Sequence, residues 1–159
     1  MNKNSALIIH KPYFKYLYGV TVFFLILTGF GQMPIFKRYY IADIPGLGWL
    51  AEFFITHYMH YLFAIIFIFI TAYFLTEYIL RLQKTVKITI SGYLRIAIIT
   101  GLIATGILLV IRNFSGYRFS PGFIIIMDLS HLGLVMAFLF SGFICFVLKK
   151  KWLKTGILH

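Results

Sequence analysis

The chain has 159 residues, of which 61% are hydrophobic, 19% are aromatic and only 12% are charged. Soluble domains are roughly half apolar and about a quarter charged, and the mean hydropathy of +0.92 excludes an ordinary soluble domain. The net charge of +11 would suggest nucleic-acid binding in a soluble protein. Here the basic residues gather at the ends of apolar segments, where membrane topology and anionic lipid explain them, so no nucleic-acid partner is predicted.

Four apolar stretches cover residues 16–35, 48–80, 92–112 and 121–148. Each reaches the ~20 residues that a helix needs to cross a hydrocarbon core. The run from Ala64 to Ile70 is apolar at every position, which excludes the two-residue alternation of a membrane β-barrel. The sequence therefore predicts an all-α membrane protein, with residues 1–159 forming a single four-helix domain with short loops.

Local signals mark where these helices begin and end. The first stretch follows a basic segment, but it ends in Gly29–Pro34 without the small-residue pattern of a signal-peptide cleavage site, so a retained helix is predicted. Pro45-Gly46 predicts a turn, and Trp49–Phe54 is expected at or above the outer interface. Ser91-Gly92 and Pro121 are expected to mark the starts of the third and fourth helices.

The basic residues predict the orientation of the chain. Eleven of the 15 lie in three places: the amino end, the loop after the second helix and the carboxyl end. The positive-inside rule places these three segments, and therefore both termini, on the cytoplasmic side. In the other two connections the charges nearly cancel, and these are expected to face outward. The expected location is the cytoplasmic (inner) membrane of a prokaryote, spanned several times.

Cys145 is the single cysteine. A sequence with one cysteine cannot form an internal disulfide, a CxxC redox pair or a covalent haem attachment through CxxCH. The expected role of Cys145 is that of a small buried apolar side chain. Any metal or redox chemistry must therefore depend on histidine.

Two histidines, His60 and His131, lie inside apolar segments that are expected to run in the same direction through the membrane. Counted from Arg81 and Lys149 at the inner ends, their depths agree to within about 5 Å. Polar side chains inside a membrane span are costly and usually face a partner or cofactor in the bundle. Two imidazoles at one level could hold one haem b iron from both sides, whereas the simpler alternative is a hydrogen bond between helices.

His57 is the alternative ligand on the second helix, because it shares a face with His60 one turn nearer the outside. Its other expected role is a hydrogen bond to a haem propionate or to another polar group on the outer side. His10 and His159 lie in the flanking tails and are not expected to be ligands. Ala64, one turn from His60, and Gly133, close to His131, are small enough to leave room for a porphyrin edge.

Several short motifs occur in an order that resembles the four-helix cytochrome b subunits of membrane-bound formate dehydrogenase, nickel-iron hydrogenase and thiosulfate reductase. The resemblance covers nearly the whole chain. The matching elements are Thr28-Gly29 at the end of the first helix, an outer loop with Pro and Gly, His60 followed by Ala64, Thr105-Gly106 in the third helix, and Ser130-His131-Leu132-Gly133 in the fourth.

This resemblance implies a haem-binding membrane anchor that exchanges electrons between the quinone pool and an iron-sulfur or multihaem cytochrome subunit on the outer side. The chain would then be an electron-transfer part of a hetero-oligomeric complex and not itself an enzyme. In that family a second haem is held by two further histidines, whose positions correspond here to Lys15 and Cys145. One haem b is therefore expected, with Lys15 as an interfacial lysine.

Two other functions compete with this interpretation. A haem-free structural anchor would use the same histidines only for hydrogen bonds between helices. A small transporter is disfavoured because no carboxylate lies in the middle of an apolar stretch and no helices are interrupted in pairs.

Overall fold

The structure is a computed structural model that describes residues 12–35, 39–84 and 86–155. His10 and His159, together with Lys37 and Arg38 of the outer loop, lie outside the described residues. The described chain is predominantly helical, and its four longest helices are α1 (Pro12–Gly31), α2 (Phe53–Glu77), α3 (Ile90–Ile111) and α4 (Pro121–Val147).

All four helices are long and apolar enough to cross a membrane, and the π-helical turn Tyr78–Leu82 extends the span that begins with α2 to 30 residues. Many of their apolar side chains are exposed, including Phe54 at 85%, Phe69 at 71% and Phe146 at 80%. Such extensive apolar exposure is unfavourable in water and suits a lipid environment. The prediction of four potential membrane-spanning helices is confirmed.

The start of α2 differs from the sequence-based boundary at residue 48. Gly48–Ala51 forms a separate 3-10 turn, and Glu52 then adopts an extended conformation with φ −81° and ψ 97°. The helix begins only at Phe53 because this extended residue interrupts the helical hydrogen bonds. Pro121 does begin α4 as predicted, and Ser120 caps it by accepting a hydrogen bond from the Phe123 amide.

The chain divides into two compact units, Met1–Leu82 and Gln83–His159. In the first unit α1 packs against α2. Phe24 stacks on Phe63 with 4.5 Å between ring centroids, and Phe14 stacks on Tyr73 at 5.2 Å. Thr21 and Thr28 are fully buried on α1, so the largely aromatic interface also contains two buried hydroxyl groups.

The connection between α1 and α2 in the first unit contains a second 3-10 turn, Ile41–Asp43. Gly46, in the predicted Pro-Gly turn, has a φ of +87°, which L side chains rarely adopt. Gly31 ends α1 where Leu50 packs, since a Cβ there would lie 3.1 Å from Leu50 Cδ2. The loop is thereby held against the end of the helix.

In the second unit α3 packs against α4, and Gly101 allows close approach, because a Cβ at this position would lie 3.0 Å from Leu134 Cδ1. Two short strands that the sequence did not reveal, β1 (Val86–Ile88) and β2 (Leu153–Thr155), pair antiparallel. This pairing connects the segment before α3 with the segment after α4.

Two residues to which the sequence analysis gave a role, Cys145 and Lys15, lie in α4 and α1. Cys145 is buried in α4, as expected of a small apolar side chain, and Lys15 is exposed near the start of α1. Glu77 at the end of α2 is also buried and lies 3.6 Å from Arg81.

Candidate functional site

His131 is half-buried in α4 and is bound by a threonine from α3. Its Nδ1 lies 2.8 Å from Thr105 Oγ1. The same hydroxyl is 2.8 Å from the Gly101 carbonyl oxygen, which only accepts hydrogen bonds. Because a threonine hydroxyl has a single proton, Thr105 donates to Gly101 and accepts from His131. This assigns the proton of the imidazole to Nδ1 and the lone pair to Nε2.

His60 has the same arrangement in the first unit, between α1 and α2. Its Nδ1 lies 3.0 Å from Thr28 Oγ1, and this hydroxyl is 2.6 Å from the Phe24 carbonyl oxygen. Thr28 is completely buried. By the same reasoning the His60 Nδ1–H donates to Thr28, and the lone pair of the ring belongs to Nε2.

A glycine follows each of these threonines and lies beside the imidazole ring. A Cβ at Gly29 would be 3.3 Å from His60 Cε1, and a Cβ at Gly106 would be 3.6 Å from His131 Cε1. At Gly29 a Cβ would crowd the ring, so this glycine lets His60 lie against the backbone of α1, whereas a Cβ at Gly106 would make ordinary van der Waals contact with the His131 ring. Each unit thus contains a Thr-Gly pair on its first helix and a histidine on its second, which we call the Thr-Gly-His arrangement.

Sequence reasoning identified the two histidines and the two Thr-Gly pairs but did not foresee their contacts. The signal that was available is the equivalent placement of the pairs near the ends of the first and third helices. A threonine that faces a histidine on the next helix is a polar partner of the kind that buried imidazoles require.

His57 has a different environment from His60. Its Nδ1 donates to Gln32 Oε1 over 3.0 Å, and Gln32 Nε2 in turn donates to the Thr28 carbonyl oxygen at 3.3 Å. The His57 ring stacks on Phe53, with 5.2 Å between centroids. Because its partner is an amide and not a Thr-Gly pair, His57 is not the counterpart of His131, whereas His60 is.

The two small residues singled out in the sequence lie on the helices that carry the histidines. Ala64 is half-buried one turn after His60. At Gly133, two residues after His131, a Cβ would meet no described atom within 4 Å. Residues two apart on a helix do not share a face, so this open surface of α4 is not the one that carries His131.

The residues present fit a bis-histidine haem by their donor chemistry. Imidazoles that ligate iron through Nε2 typically donate their Nδ1–H to an oxygen that orients the ring. Thr28 and Thr105 supply that oxygen for His60 and His131. Within the described ranges, no group of three or more His, Cys, Asp or Glu side chains is placed to hold a metal ion.

These assignments depend on the residues and contacts of this chain alone. In comparisons with known proteins, no family model, no curated protein and no solved structure matches it.

Proposed function

We propose that the protein is a haem b-binding membrane subunit that transfers electrons between a redox partner outside the cytoplasm and the quinone pool. The observation that carries this proposal is the repetition of the Thr-Gly-His arrangement in both units. His60 and His131 would be the two axial ligands of one haem b, each through Nε2. His57 is the alternative ligand on α2.

The chain's own residues would orient the ligands and tune their basicity. Thr28 and Thr105 accept the Nδ1 protons, which fixes the tautomer and makes each imidazole a stronger electron donor through Nε2. The surrounding apolar helices exclude water and lower the local dielectric. Haem b, when bound, supplies a one-electron Fe(III)/Fe(II) couple. A helix-embedded couple of this kind transfers electrons without making or breaking substrate bonds.

The distribution of basic residues supports the sidedness of this proposal. By the positive-inside rule both termini lie in the cytoplasm, and the connections 32–52 and 112–120 face outward in a prokaryotic inner membrane. These connections expose Tyr39, Tyr40 and Tyr117, and aromatic side chains are enriched at protein interfaces. An iron-sulfur or multihaem cytochrome subunit would dock here, which makes the chain part of a hetero-oligomeric complex.

The residues at the two positions where the resembling family has further haem ligands support a single haem. Lys15 is exposed and Cys145 is a buried free thiol on α4. Neither is an imidazole, and a protonated lysine has no lone pair for iron.

One observation also favours a second candidate function, a haem-free structural anchor. The threonine–histidine hydrogen bonds join neighbouring helices within each unit, and such bonds alone stabilise membrane helix pairs by roughly 0.6 kcal/mol on average. This function explains the contacts at Nδ1, and the glycine beside each ring allows the close packing that such a helix interface needs.

Haem content distinguishes the two functions. The purified complex should show a reduced-minus-oxidised spectrum of low-spin haem b, and a pyridine haemochrome assay should return one haem per chain. A complex isolated intact with no haem would favour the structural anchor. Two haems per chain would mean that ligands other than His60 and His131 exist.

A further inference from the structure

Arg95, in the second turn of α3, is a buried cation. Its side chain is only 8% exposed, and its Nε–H is shielded from solvent with no acceptor within hydrogen-bond distance in the described part of the chain. Burying a charged donor without an acceptor is costly. The described residues supply no acceptor for this group, so an acceptor from outside them would stabilise Arg95.

The acidic residues of the same unit do not provide this acceptor. In Gln83–His159 the sequence has a single carboxylate, Asp128. Asp128 binds Arg112 at the far end of α3, with 3.0 Å between Oδ1 and Nη1. Arg112 lies 17 positions after Arg95, which corresponds to about 25 Å of helix. Arg95 and Asp128 are therefore at opposite ends of the helix pair.

The guanidinium of Arg95 lies beside Trp152, which is itself bonded to the N-terminus of α3. Arg95 Cζ is 4.6 Å from the centre of the Trp152 ring, and the Trp152 carbonyl oxygen accepts from the Thr89 amide at 3.0 Å. Thr89 is the residue that caps α3. The backbone carbonyl oxygens of Lys151 and Trp152 already accept from Thr89 and Ser91 at this end of the helix, so the charge that favours an anion here is that of the guanidinium.

The surface around the start of α3 carries both basic and apolar side chains. Lys87 on β1 and Lys149–Lys151 after α4 are all exposed. On α3, exposed apolar side chains start at Ile90, which is 91% exposed, and continue with Tyr93 and Leu94. A soluble anion would use the positive charge but not the apolar surface, whereas a phospholipid has both an anionic head and an apolar body.

We infer that Arg95 binds the phosphate of an anionic phospholipid at the membrane-water boundary where α3 begins. The guanidinium stacks one face on Trp152, and its two terminal Nη groups, not the shielded Nε, would bind the phosphate oxygens in a bidentate manner. This site does not depend on haem binding and would be present in either function considered above.

Trp152 is a built-in reporter for this site. The chain has two tryptophans, so Trp49→Phe leaves Trp152 as the single fluorophore in the full-length protein. In vesicles that contain brominated lipid, quenching of Trp152 reports contact with that lipid. We expect brominated phosphatidylglycerol to quench more strongly than brominated phosphatidylcholine at the same mole fraction, with an apparent preference of about fivefold or more.

Arg95→Met should abolish this preference, and Arg95→Lys should weaken it because lysine keeps the charge but loses the planar N–H edge. The matched control is Lys87→Met, which removes one exposed charge at the same end of the helix pair. In high salt the remaining preference of the Lys87→Met protein should persist, because a buried ion pair is screened less than surface charge.

Three results would overturn the inference. These are no preference in the Trp49→Phe protein, an unchanged preference in both folded Arg95 variants, and an equal loss for Lys87→Met and Arg95→Met. Inorganic phosphate added to the vesicles should leave the quenching unchanged. If it displaced the lipid at millimolar concentration, the site would bind free phosphate and the assignment to phospholipid would be wrong. Circular dichroism of each variant separates loss of binding from loss of the fold.

Discussion

Thr105 accepts the Nδ1 proton of His131 across 2.8 Å while it donates its own proton to the carbonyl of Gly101. Thr28 does the same for His60, with Phe24 as its own acceptor. In both units, therefore, the threonine decides which imidazole nitrogen carries the lone pair. Substitution of the two threonines, and not only of the histidines, can therefore test the site.

Replacing Thr105 or Thr28 by valine removes the hydroxyl oxygen that accepts the histidine Nδ1–H. The Nδ1–H then loses this hydrogen bond inside the helix pair, which should destabilise the protein by about 1–3 kcal/mol. If haem is bound, the imidazole becomes a weaker donor and the midpoint potential should rise. Redox titration and unfolding in mixed micelles measure the two effects.

Thr21→Val is the matched control for the threonine variants. Thr21 is equally buried on α1, and its hydroxyl donates to the Leu17 carbonyl oxygen at 2.7 Å and not to a histidine. Its replacement should leave the potential unchanged. An equal shift of potential in Thr21→Val and Thr28→Val would show that the Nδ1 hydrogen bond does not tune the site.

The histidines themselves should differ in their effect on the haem spectrum. His131→Ala and His60→Ala each remove a proposed axial ligand, so the six-coordinate low-spin spectrum should disappear. His57→Ala should shift it only slightly, because the Nδ1 of His57 is bound to the Gln32 amide and not to a threonine hydroxyl. Loss of haem in His57→Ala with retention in His60→Ala would reverse the assignment on α2.

Gly92 should be intolerant of any side chain. A Cβ at this position would lie 2.5 Å from the Trp152 carbonyl oxygen and 2.8 Å from Ile88 Cγ2. Gly92→Ala therefore has to displace the segment that pairs with β1, at a cost of about 1–3 kcal/mol. Gly122→Ala is the control, since a Cβ there meets no described atom within 4 Å. Thermal unfolding followed by Trp152 fluorescence compares the two, and equal stability would contradict the prediction.

The orientation can be tested by cysteine labelling in intact cells. In a Cys145→Ala background, single cysteines at Ile41 and Ser115 should react with a membrane-impermeant reagent, whereas a cysteine at Asn2 should not. This result is expected because the basic residues concentrate at the opposite ends of the helices. The reverse pattern would overturn the orientation and move the proposed docking surface to the cytoplasmic side.

The four helices were predictable because each one follows from a long apolar run, and a feature of this kind depends on local composition alone. The start of α2 at Phe53 was not predictable. Gly48–Ala51 is apolar enough to belong to the helix but forms a 3-10 turn. The pairing of β1 with β2 was also missed. It joins residues such as Val86 and Thr155 that are far apart in sequence, and three-residue strands carry almost no periodic signal of their own.

The candidate site was predictable to the level of residue type, and the equal depth of the two histidines stays a prediction. His60 and His131 were identified because an ionisable group in an apolar run is conspicuous. The hydrogen bonds from these histidines to Thr28 and Thr105 were not predictable, because they depend on how each helix is rotated about its axis. A threonine in an apolar run usually bonds to its own backbone, and both threonines do so while they also accept from a histidine. The single-domain organisation and the orientation stay predictions.

The Thr-Gly-His arrangement also bears on how the protein is made. Each histidine bonds to the helix immediately before it in the chain, so each helical hairpin satisfies the Nδ1 group of its own histidine. A hairpin can therefore enter the lipid as a finished pair during synthesis, without waiting for the other hairpin or for a cofactor. Under this order of events, the α1–α2 hairpin inserts while the α3–α4 hairpin is still being translated, and any cofactor joins only after both are in place.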